Sequence, residues 1–408
     1  MDLFQKCHDF TRAKQVMAMG IYPFFHMLTS GQDTEVIMEG HRTLMLGSNN
    51  YLGLTADPRV KEAAIKAVEK YGTGCSGSRF LNGTLDLHVD LEQALAGFLQ
   101  KPDALIFSTG FQTNLSIISS IAGRNDYILS DSVNHASIVD GTRLSFARTI
   151  KYKHNDMEDL DRLLERCAAD DKAGILIVTD GVFSMEGEIC RLPEIVRLAR
   201  RYGARILIDD AHALGVLGER GRGTAEYFGL TDEVDLIMNT FSKTLASLGG
   251  CVAGDADAVH YIKHNARPFI FSASVPPAQI AAAREALRIL EAEPERVRRL
   301  NAIAGHMKRG LQGLAHVRIH DSGNDIVPII PILTGTAGRT VYTAKYLLEA
   351  GVYVNPVFPP AVPPESCLLR TSYTATHTDA QLNEAIGIIG QVYAAMASNT
   401  EVDFDFEM

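Results

Sequence analysis

The stretch GILIVTDGVFSMEGEICRLPEIVRLARRYGARILIDDAH, residues 174–212, decides the fold class. It begins and ends with short, continuous apolar runs, GILIVTDG (174–181) and ARILIDDAH (204–212). Between them, PEIVRLARRYG (193–203) has apolar residues at helical spacing and stops at a glycine. Continuous rather than alternating apolar runs favour strands that are covered on both faces. The stretch therefore predicts a strand–helix–strand unit of a mostly parallel α/β sheet.

Similar apolar runs extend this pattern along the chain. The further runs are DALIFSTG (103–110), DYILSD (126–131), VDLIMNT (234–240) and GGCVAG (249–254). Before them, the pattern predicts a hairpin followed by a polar loop over 33–54, and helices over 57–74 and 88–100. After them it predicts one long helical stretch at 276–311. A smaller α+β domain follows, with apolar runs at 324–333, 351–358 and 366–373 and a capping box of Thr378 and Gln381 at its last helix. The acidic end, 401–408, is predicted to be a loose tail.

Composition and charge narrow the possible functions. The 408 residues are 46% hydrophobic and 22% charged, which is typical of a folded globular protein. A formal net charge of −10 argues against a nucleic-acid-binding surface. The six cysteines are scattered without a CxxC pair, and no signal peptide or membrane-spanning run is evident. These features predict a cytoplasmic protein with reduced thiols.

The residues that follow the apolar runs are the candidates for chemistry, because ligands of open α/β sheets bind beyond the carboxyl ends of the strands. Ser108–Gln112 could hold a phosphate on free N–H groups at a helix start, and an ordinary turn is an equally good interpretation. His135 could stack on a planar ring, although taken alone its position favours a helix cap.

Asp209 and His212 follow another of these runs. An aspartate there could form a salt link with a protonated ring nitrogen, and His212 could reach a neighbouring ring oxygen. The DxxH spacing also fits a metal site, but no clustered third ligand is evident, so we predict no metal.

Lys243 lies just after the run VDLIMNT (234–240). It is either a strand-end lysine that extends into water or an amine that forms a Schiff base with an aldehyde cofactor. Pyridoxal phosphate (PLP) needs such an amine, an acid at the pyridine nitrogen, a phosphate-binding turn and a ring-stacking group. Because all four occur at successive predicted strand ends, together they predict PLP, with Asp209 keeping the pyridine protonated.

Ordered motifs across nearly the whole chain carry a resemblance to a known family. They are GSNNYLGL (47–54), STGFQTN (108–114), NHASIVDG (134–141), TDGVFSMEGE (179–188), DDAH (209–212) and TFSKTLASLGG (240–250). With them the chain resembles the α-oxoamine synthases, PLP enzymes of fold type I that condense an amino acid with an acyl-CoA and lose CO₂. Further stretches look like the bacterial serine palmitoyltransferase branch, namely 71–92, 241–257, 263–274 and 360–365.

The resemblance implies an α/β fold of the type I PLP-dependent transferases. Its central sheet would be mostly parallel, seven-stranded and flanked by helices, with a smaller C-terminal α+β domain. We predict an N-terminal segment at 1–56, a large PLP-binding domain at 57–285 and a small domain at 286–408. The resemblance also implies a homodimer that could associate peripherally with a membrane through a lipid substrate or product.

The resemblance also implies roles for individual residues. The catalytic set would be Lys243, His135, Asp209 and His212. The cofactor would also contact Gly110, Phe111, Ser184, Thr240 and, from the partner subunit, Ser272. The amino acid substrate would meet His135, Arg370 and Asn50, with Asn49 as the alternative to Asn50. Ala213 departs from the family, whose members mostly carry a small polar residue after this histidine.

The expected reaction joins L-serine to palmitoyl-CoA and releases CoA, CO₂ and 3-ketodihydrosphingosine. One alternative is a sibling synthase that uses glycine or alanine with another acyl-CoA. An aminotransferase on the same fold and a catalytically silent scaffold subunit also stay open, although Lys243 counts against the scaffold. IYPFFH (21–26) could line an acyl-chain tunnel, but core packing is the favoured interpretation.

Overall fold

The structure is a computed structural model, and it describes residues 2–359, 361–399 and 401–402. By contact the chain groups into a larger unit, Asn49–Leu300, and a smaller unit that joins Met1–Ser48 to Asn301–Met408. The three-part domain division at 56/57 and 285/286 stays a prediction. The predicted acidic tail lies outside the described residues from 403 onward.

Strands and helices alternate through the middle of the chain. The strands are β1 Glu35–Met38, β2 His41–Met45, β3 Asp103–Phe107, β4 Tyr127–Asp131, β5 Arg148–Tyr152, β6 Ile175–Asp180, β7 Arg205–Asp209, β8 Leu236–Thr240, β9 Gly250–Gly254, β10 Ile329–Gly335, β11 Val352–Tyr353, β12 Asn355–Val357 and β13 Cys367–Ser372. The helices are α1 Gln5–His8, α2 Arg12–Ala18, α3 Pro58–Tyr71, α4 Asp86–Leu99, α5 Gly110–Ile121, α6 Ala136–Leu144, α7 Met157–Ala168, α8 Leu192–Tyr202, α9 Thr224–Tyr227, α10 Ala256–Asn265, α11 Arg267–Ile270, α12 Pro277–Ala292, α13 Glu295–Gln312, α14 Ala337–Glu349 and α15 Asp379–Met396.

The larger unit is built on a seven-stranded sheet in the order β3-β9-β8-β7-β6-β4-β5. Neighbouring strands from β8 to β5 are parallel, whereas β9 is antiparallel to both β8 and β3. The predicted α/β fold with a mostly parallel seven-stranded sheet is therefore confirmed. The predicted strand–helix–strand unit is β6–α8–β7, and α8 ends at Gly203, whose φ of 67° few other residues adopt without strain.

The sheet is buried on both faces, as the continuous apolar runs predicted. Every residue of β6, β8 and β9 is buried. One apolar core packs α7 and α8 against the sheet, and the other packs α5 and α10 against it. Edge strand β5 was not among the predicted runs, because its sequence RTIKY is mostly exposed. The buried interior therefore holds the strands rigidly, and their carboxyl ends form the edge where ligands bind.

The smaller unit contains two three-stranded sheets, β1-β2-β11 and β10-β13-β12. The predicted hairpin is β1–β2, and its turn residues Glu39 and Gly40 both have positive φ, at 51° and 83°. The predicted capping box of Thr378 and Gln381 is present at α15. The run 351–358 is split between the two sheets as β11 and β12.

The long helical stretch predicted over 276–311 is helical, but it is divided into two helices. The stretch forms α12 and α13, which are separated at Glu293 and Pro294. Proline lacks the N–H that a continuing helix requires and clashes with the preceding turn, so the chain restarts a new helix there.

Candidate active site

A cavity of about 270 Å³ lies in the larger unit, and its walls come from the carboxyl ends of the central strands and the turns after them. Of the predicted residues it brings together Gly110, Phe111, His135, Ser184, Asp209, His212, Thr240 and Lys243. Chain positions from 110 to 243 thus converge on one space, which is what the rule for strand ends in α/β sheets predicts.

Lys243 lies in the tight loop that links β8 to β9. The loop closes because the Phe241 N–H donates to the Gly249 carbonyl at 2.9 Å, with Gly249 at a φ of 141°. At Gly250 a Cβ atom would lie 2.5 Å from Thr113 Oγ1 and 2.8 Å from the Cα of Gly110. The glycine pair therefore lets this loop pass directly against the start of α5.

Asp209 ends β7 and is buried at 3% exposure. Its carboxylate accepts hydrogen bonds from Asn114 Nδ2 at 2.6 Å and from the Ala211 N–H at 2.9 Å. These donors compensate for the lost hydration of a buried carboxylate. The next residue, Asp210, accepts instead from the backbone N–H and the hydroxyl of Thr224, and burial raises its pKa to about 7.

His135 is the N-cap of α6, which confirms one interpretation of its sequence position, and it also lines the cavity. Its stacking on a planar ring stays a prediction. Its Nδ1 accepts from the Ser137 N–H at 3.2 Å and lies 2.8 Å from Ser137 Oγ. A backbone N–H can only donate, so Nδ1 carries no proton and the neutral ring bears its proton on Nε2. Burial lowers the pKa of His135, although the nearby Asp209 charge opposes the shift.

A hydrogen-bond chain connects His135 to Asp209. Asn114 Nδ2 donates both to Ser137 Oγ, at 2.9 Å, and to Asp209. Asn114 and Ser137 are buried, and sequence reasoning gave neither of them a role. Asn114 lies in the motif STGFQTN (108–114) and Ser137 in NHASIVDG (134–141), and those motifs were the available sequence signal.

Asp180 is another cavity residue that sequence reasoning missed. It ends β6, directly beside Asp209 in the register of the sheet, and its carboxylate accepts from the His135 N–H at 2.9 Å. Asn134 adds to this link, since its side chain accepts from the Asp180 N–H and donates to the Val178 carbonyl. Burial, and then the Asp209 charge, raise the pKa of Asp180 well above its usual range.

Tyr51 is the third group that was missed. It is fully buried, and its hydroxyl lies 2.6 Å from Nδ1 of His212. It comes from the loop that precedes α3, not from a strand end, so the rule that located the other residues does not reach it. Its position within GSNNYLGL (47–54) was the available signal.

The start of α5 is the candidate anion-binding corner of the cavity. Thr109 caps the helix through the Gln112 N–H, and Gly110 and Phe111 occupy the first helical positions on the cavity wall. The first N–H groups of a helix have no partner within it and attract anions. Thr240 adds a hydroxyl, which lies 3.0 Å from that of Ser242. With Lys243, Asp209 and His135, this corner completes the four groups that PLP needs, so the residues present fit that cofactor.

Three predicted residues lie elsewhere. Ser272 does not line this cavity within its own chain; its hydroxyl accepts from Gln112 Nε2 at 2.5 Å. The side chain of Asn50 is hydrogen-bonded to Thr55 at 2.6 Å. Arg370 is buried in β13, which belongs to the smaller unit. Their predicted roles toward cofactor or substrate stay predictions.

The stretch IYPFFH (21–26) lies in the smaller unit and lines a separate cavity of about 440 Å³. Ile21 is buried, as core packing predicts, but Phe25 is 91% exposed. No helix in the described part of the chain combines the length and the apolar content that crossing a bilayer requires.

Comparison with known proteins places the chain among PLP enzymes. The family model of aminotransferase class I and II matches residues 42–389. The serine palmitoyltransferase of Sphingobacterium spiritivorum is 51% identical over 391 residues, covering 96% of this chain and 96% of that protein. The 8-amino-7-oxononanoate synthase of Lysinibacillus sphaericus is 43% identical over 384 residues, covering 94% of this chain and 97% of that protein. A solved structure of a lysine-to-alanine variant of serine palmitoyltransferase from S. paucimobilis, with a bound PLP–myriocin aldimine, has a TM-score of 0.93 at 35% identity, covering 98% of this chain and 100% of that one.

Proposed function

The chain belongs to the aminotransferase class I and II family, and we propose that it condenses L-serine with a long-chain acyl-CoA, with PLP as cofactor. With palmitoyl-CoA the products are 3-ketodihydrosphingosine, CoA and CO₂. The observation that carries the proposal is the convergence of Lys243, Asp209, His135 and the start of α5 on one cavity, in a chain half identical to a serine palmitoyltransferase.

PLP, when bound, supplies an electron sink that makes breaking a bond at the amino acid Cα feasible. Lys243 is the amine that would hold it, and its Nζ, when free of the cofactor, would be the base that takes the Cα proton. Asp209 would keep the ring nitrogen protonated, and Asn114 and the Ala211 N–H stabilise its charge. The Gly110 and Phe111 N–H groups, with the hydroxyls of Thr240 and Ser184, would bind the phosphate.

His135 is suited to lie against the cofactor ring. Because its lowered pKa keeps the imidazole neutral near pH 7, it can stack without adding a positive charge. Its Nε2–H is the available donor, and we assign it to the carboxylate of serine. His212 would donate to the ring oxygen next to the aldehyde carbon, with Tyr51 holding its imidazole.

Substrate binding and assembly extend this proposal. Arg370 and Asn50 would bind the serine carboxylate, and Ser272 would reach the phosphate from a partner subunit, which requires a homodimer. We place the enzyme in the cytoplasm, where a lipid substrate or product could draw it to a membrane surface. The net charge of −10 argues against a nucleic-acid partner.

The test compares the purified protein with Lys243→Ala. The unmodified protein should show the visible absorption of PLP bound to an amine and should release CoA from palmitoyl-CoA only when serine is present. Lys243→Ala should lose both. A variant that still released CoA at the original rate would refute the role of Lys243, and a protein that showed no such absorption would refute the function.

A sibling synthase activity is the second candidate, favoured by the 43% identity to an 8-amino-7-oxononanoate synthase. Ala213, which replaces a small polar residue, lies fully buried directly after His212 and removes one possible polar contact. CoA release measured with serine, alanine and glycine, followed by mass spectrometry of the products, separates the two candidates. A preference for alanine or glycine would move the assignment to the sibling.

A further inference from the structure

A partly buried ion cluster lies in the larger unit, outside the set of groups assigned above. His154 follows β5, and its Nδ1 lies 2.9 Å from Asp131 Oδ1, while its Nε2 lies 3.2 Å from Glu188 Oε2. Asp131 ends β4 and its side chain is fully buried. The His154 ring packs edge-on against Phe183 at 4.4 Å between centroids. The imidazole therefore joins three separate segments of the chain.

His154 is a cation in this setting. Carboxylates can only accept, so each ring nitrogen that faces one must carry a proton. Burial lowers the pKa of His154, but the hydrogen bonds and charges of Asp131 and Glu188 outweigh it and raise the value to about 10. Asp131 also accepts from the N–H groups of Val133 and Asn155, and Asn155 Nδ2 lies 3.5 Å from Glu188. The cluster thus contains two carboxylates and an imidazole that their contacts favour in its charged form.

The segment that Glu188 and Phe183 anchor is the loop Gly181–Cys190, which follows β6. The Phe183 N–H donates to the Glu188 carbonyl at 2.9 Å, the Gly187 N–H to the Phe183 carbonyl at 3.0 Å, and the Cys190 N–H to the Gly181 carbonyl at 3.0 Å. These bonds close the loop on itself, and its tip presents Ser184 to the cavity that contains Lys243. Within the loop, Glu188 and Phe183 are the side chains that His154 contacts.

We propose that His154 is a positioning residue: by tying Glu188 and Phe183 to the carboxyl end of β4, it holds Ser184 at the cavity wall where the cofactor binds. This inference rests on the proposed function, because Ser184 matters only if the cavity takes PLP. His154 acts through the loop and touches neither cofactor nor substrate.

The test measures PLP binding to the apoprotein by absorbance titration, alongside thermal unfolding without PLP. His154→Gln keeps a polar side chain but loses the positive charge and has one donor nitrogen in place of two, so it cannot donate to Asp131 and Glu188 as the imidazole does. PLP affinity should fall about tenfold, the lower end of what losing such an outer partner costs at metal sites. Glu188→Gln, which keeps the shape of the acceptor, should give a smaller loss and serves if His154→Gln does not fold.

A double-mutant comparison separates positioning from a general loss of stability. Ser184→Ala should itself weaken PLP binding. Adding His154→Gln to it should weaken binding little further, because both changes remove the same contact, that of Ser184 with PLP. Lys101→Gln is the matched control, since it removes another partly buried cation of the same unit, one that donates to the Val234 carbonyl at 2.6 Å. It should lower the unfolding temperature and leave PLP affinity unchanged.

The outcomes distinguish the two proposals. If the unmodified apoprotein does not bind PLP, the proposed function fails. If it binds PLP and His154→Gln binds equally tightly, or if the two losses in the double variant simply multiply, the positioning role of His154 is wrong while the function stands.

Discussion

Replacing Asp180 with asparagine should make the PLP-free protein more stable than the unmodified protein as the pH rises above about 4, the ordinary pKa range of a carboxyl. The register of β6 and β7 sets Asp180 beside Asp209 at the same edge of the sheet. Asp180 is 5% exposed, and burial followed by the Asp209 charge raises its pKa well above the usual range. Asparagine keeps an oxygen that can accept from the His135 N–H and has no proton to lose.

The sign follows from where the proton is held. The folded protein keeps the Asp180 proton at pH values where the unfolded chain has already released it, so stability is complete below the unfolded pKa and falls as the pH rises toward the folded one. The loss is about 1.4 kcal/mol per pH unit within that window. Asparagine contributes no such loss. At roughly 2 °C per kcal/mol for a unit of this size, the unfolding temperatures should separate by about 3 °C per pH unit.

The assay is thermal unfolding of apoprotein between pH 4.5 and 8, with Asp180→Ala as the control. Alanine removes the same titration but also the acceptor for the His135 N–H, which should cost about 1–3 kcal/mol at every pH. The alanine and asparagine variants should therefore differ by a constant amount. A difference between Asp180→Asn and the unmodified protein that stays flat across this range would show that Asp180 ionises normally and would refute the reasoning.

Two substitutions test the packing around the cavity. Tyr51→Phe removes the 2.6 Å hydrogen bond to His212 and should cost about 1 kcal/mol of unfolding free energy. The kcat/KM for CoA release should fall roughly fivefold. A variant unchanged in chemical denaturation and in kinetics would contradict this. Gly250→Ala places a Cβ 2.5 Å from Thr113 Oγ1 and should lower both the unfolding temperature and PLP affinity. Its control, Gly97→Ala, enters open space on an exposed helix face and should add about 0.5–1 kcal/mol. Equal unfolding temperatures for the two variants would disprove the close approach.

The main features of the fold were predictable because they depend on which residues are buried on both sides. The continuous apolar runs that form β6 and β8 are too apolar for half-exposed strands. The helix between β6 and β7 explains why those two strands are parallel. Edge strand β5 was not predictable in this way. Its side chains are largely exposed, so its sequence is under no pressure to form an apolar run, and only its pairing with β4 makes it a strand.

The same contrast, between positions that a sequence rule covers and positions that only tertiary packing sets, explains which cavity residues could be predicted. Groups at strand ends, such as Lys243 and Asp209, could be placed in advance because parallel strands bring their carboxyl ends to one edge. Asp180 met the same criterion and was missed because it was counted within the apolar run GILIVTDG (174–181) and not among the residues that follow it. Tyr51 did not meet it, since its loop precedes the sheet, and only tertiary packing brings its hydroxyl to His212.

The hydrogen-bond chain from His135 to Asp209 marks the limit of sequence reasoning here. A buried polar side chain must find a partner, so Asn114 and Ser137 were bound to be hydrogen-bonded once their helix faces were buried. Which partners they find depends on how α5 packs against α6, and no local pattern encodes that. The consequence is chemical, because that packing brings Asn114 to the carboxylate of Asp209. The Ser137 N–H that settles the tautomer of His135 belongs instead to the local cap of α6, which the sequence favoured. Local pattern thus sets the proton on His135, while helix packing sets the partner of Asp209.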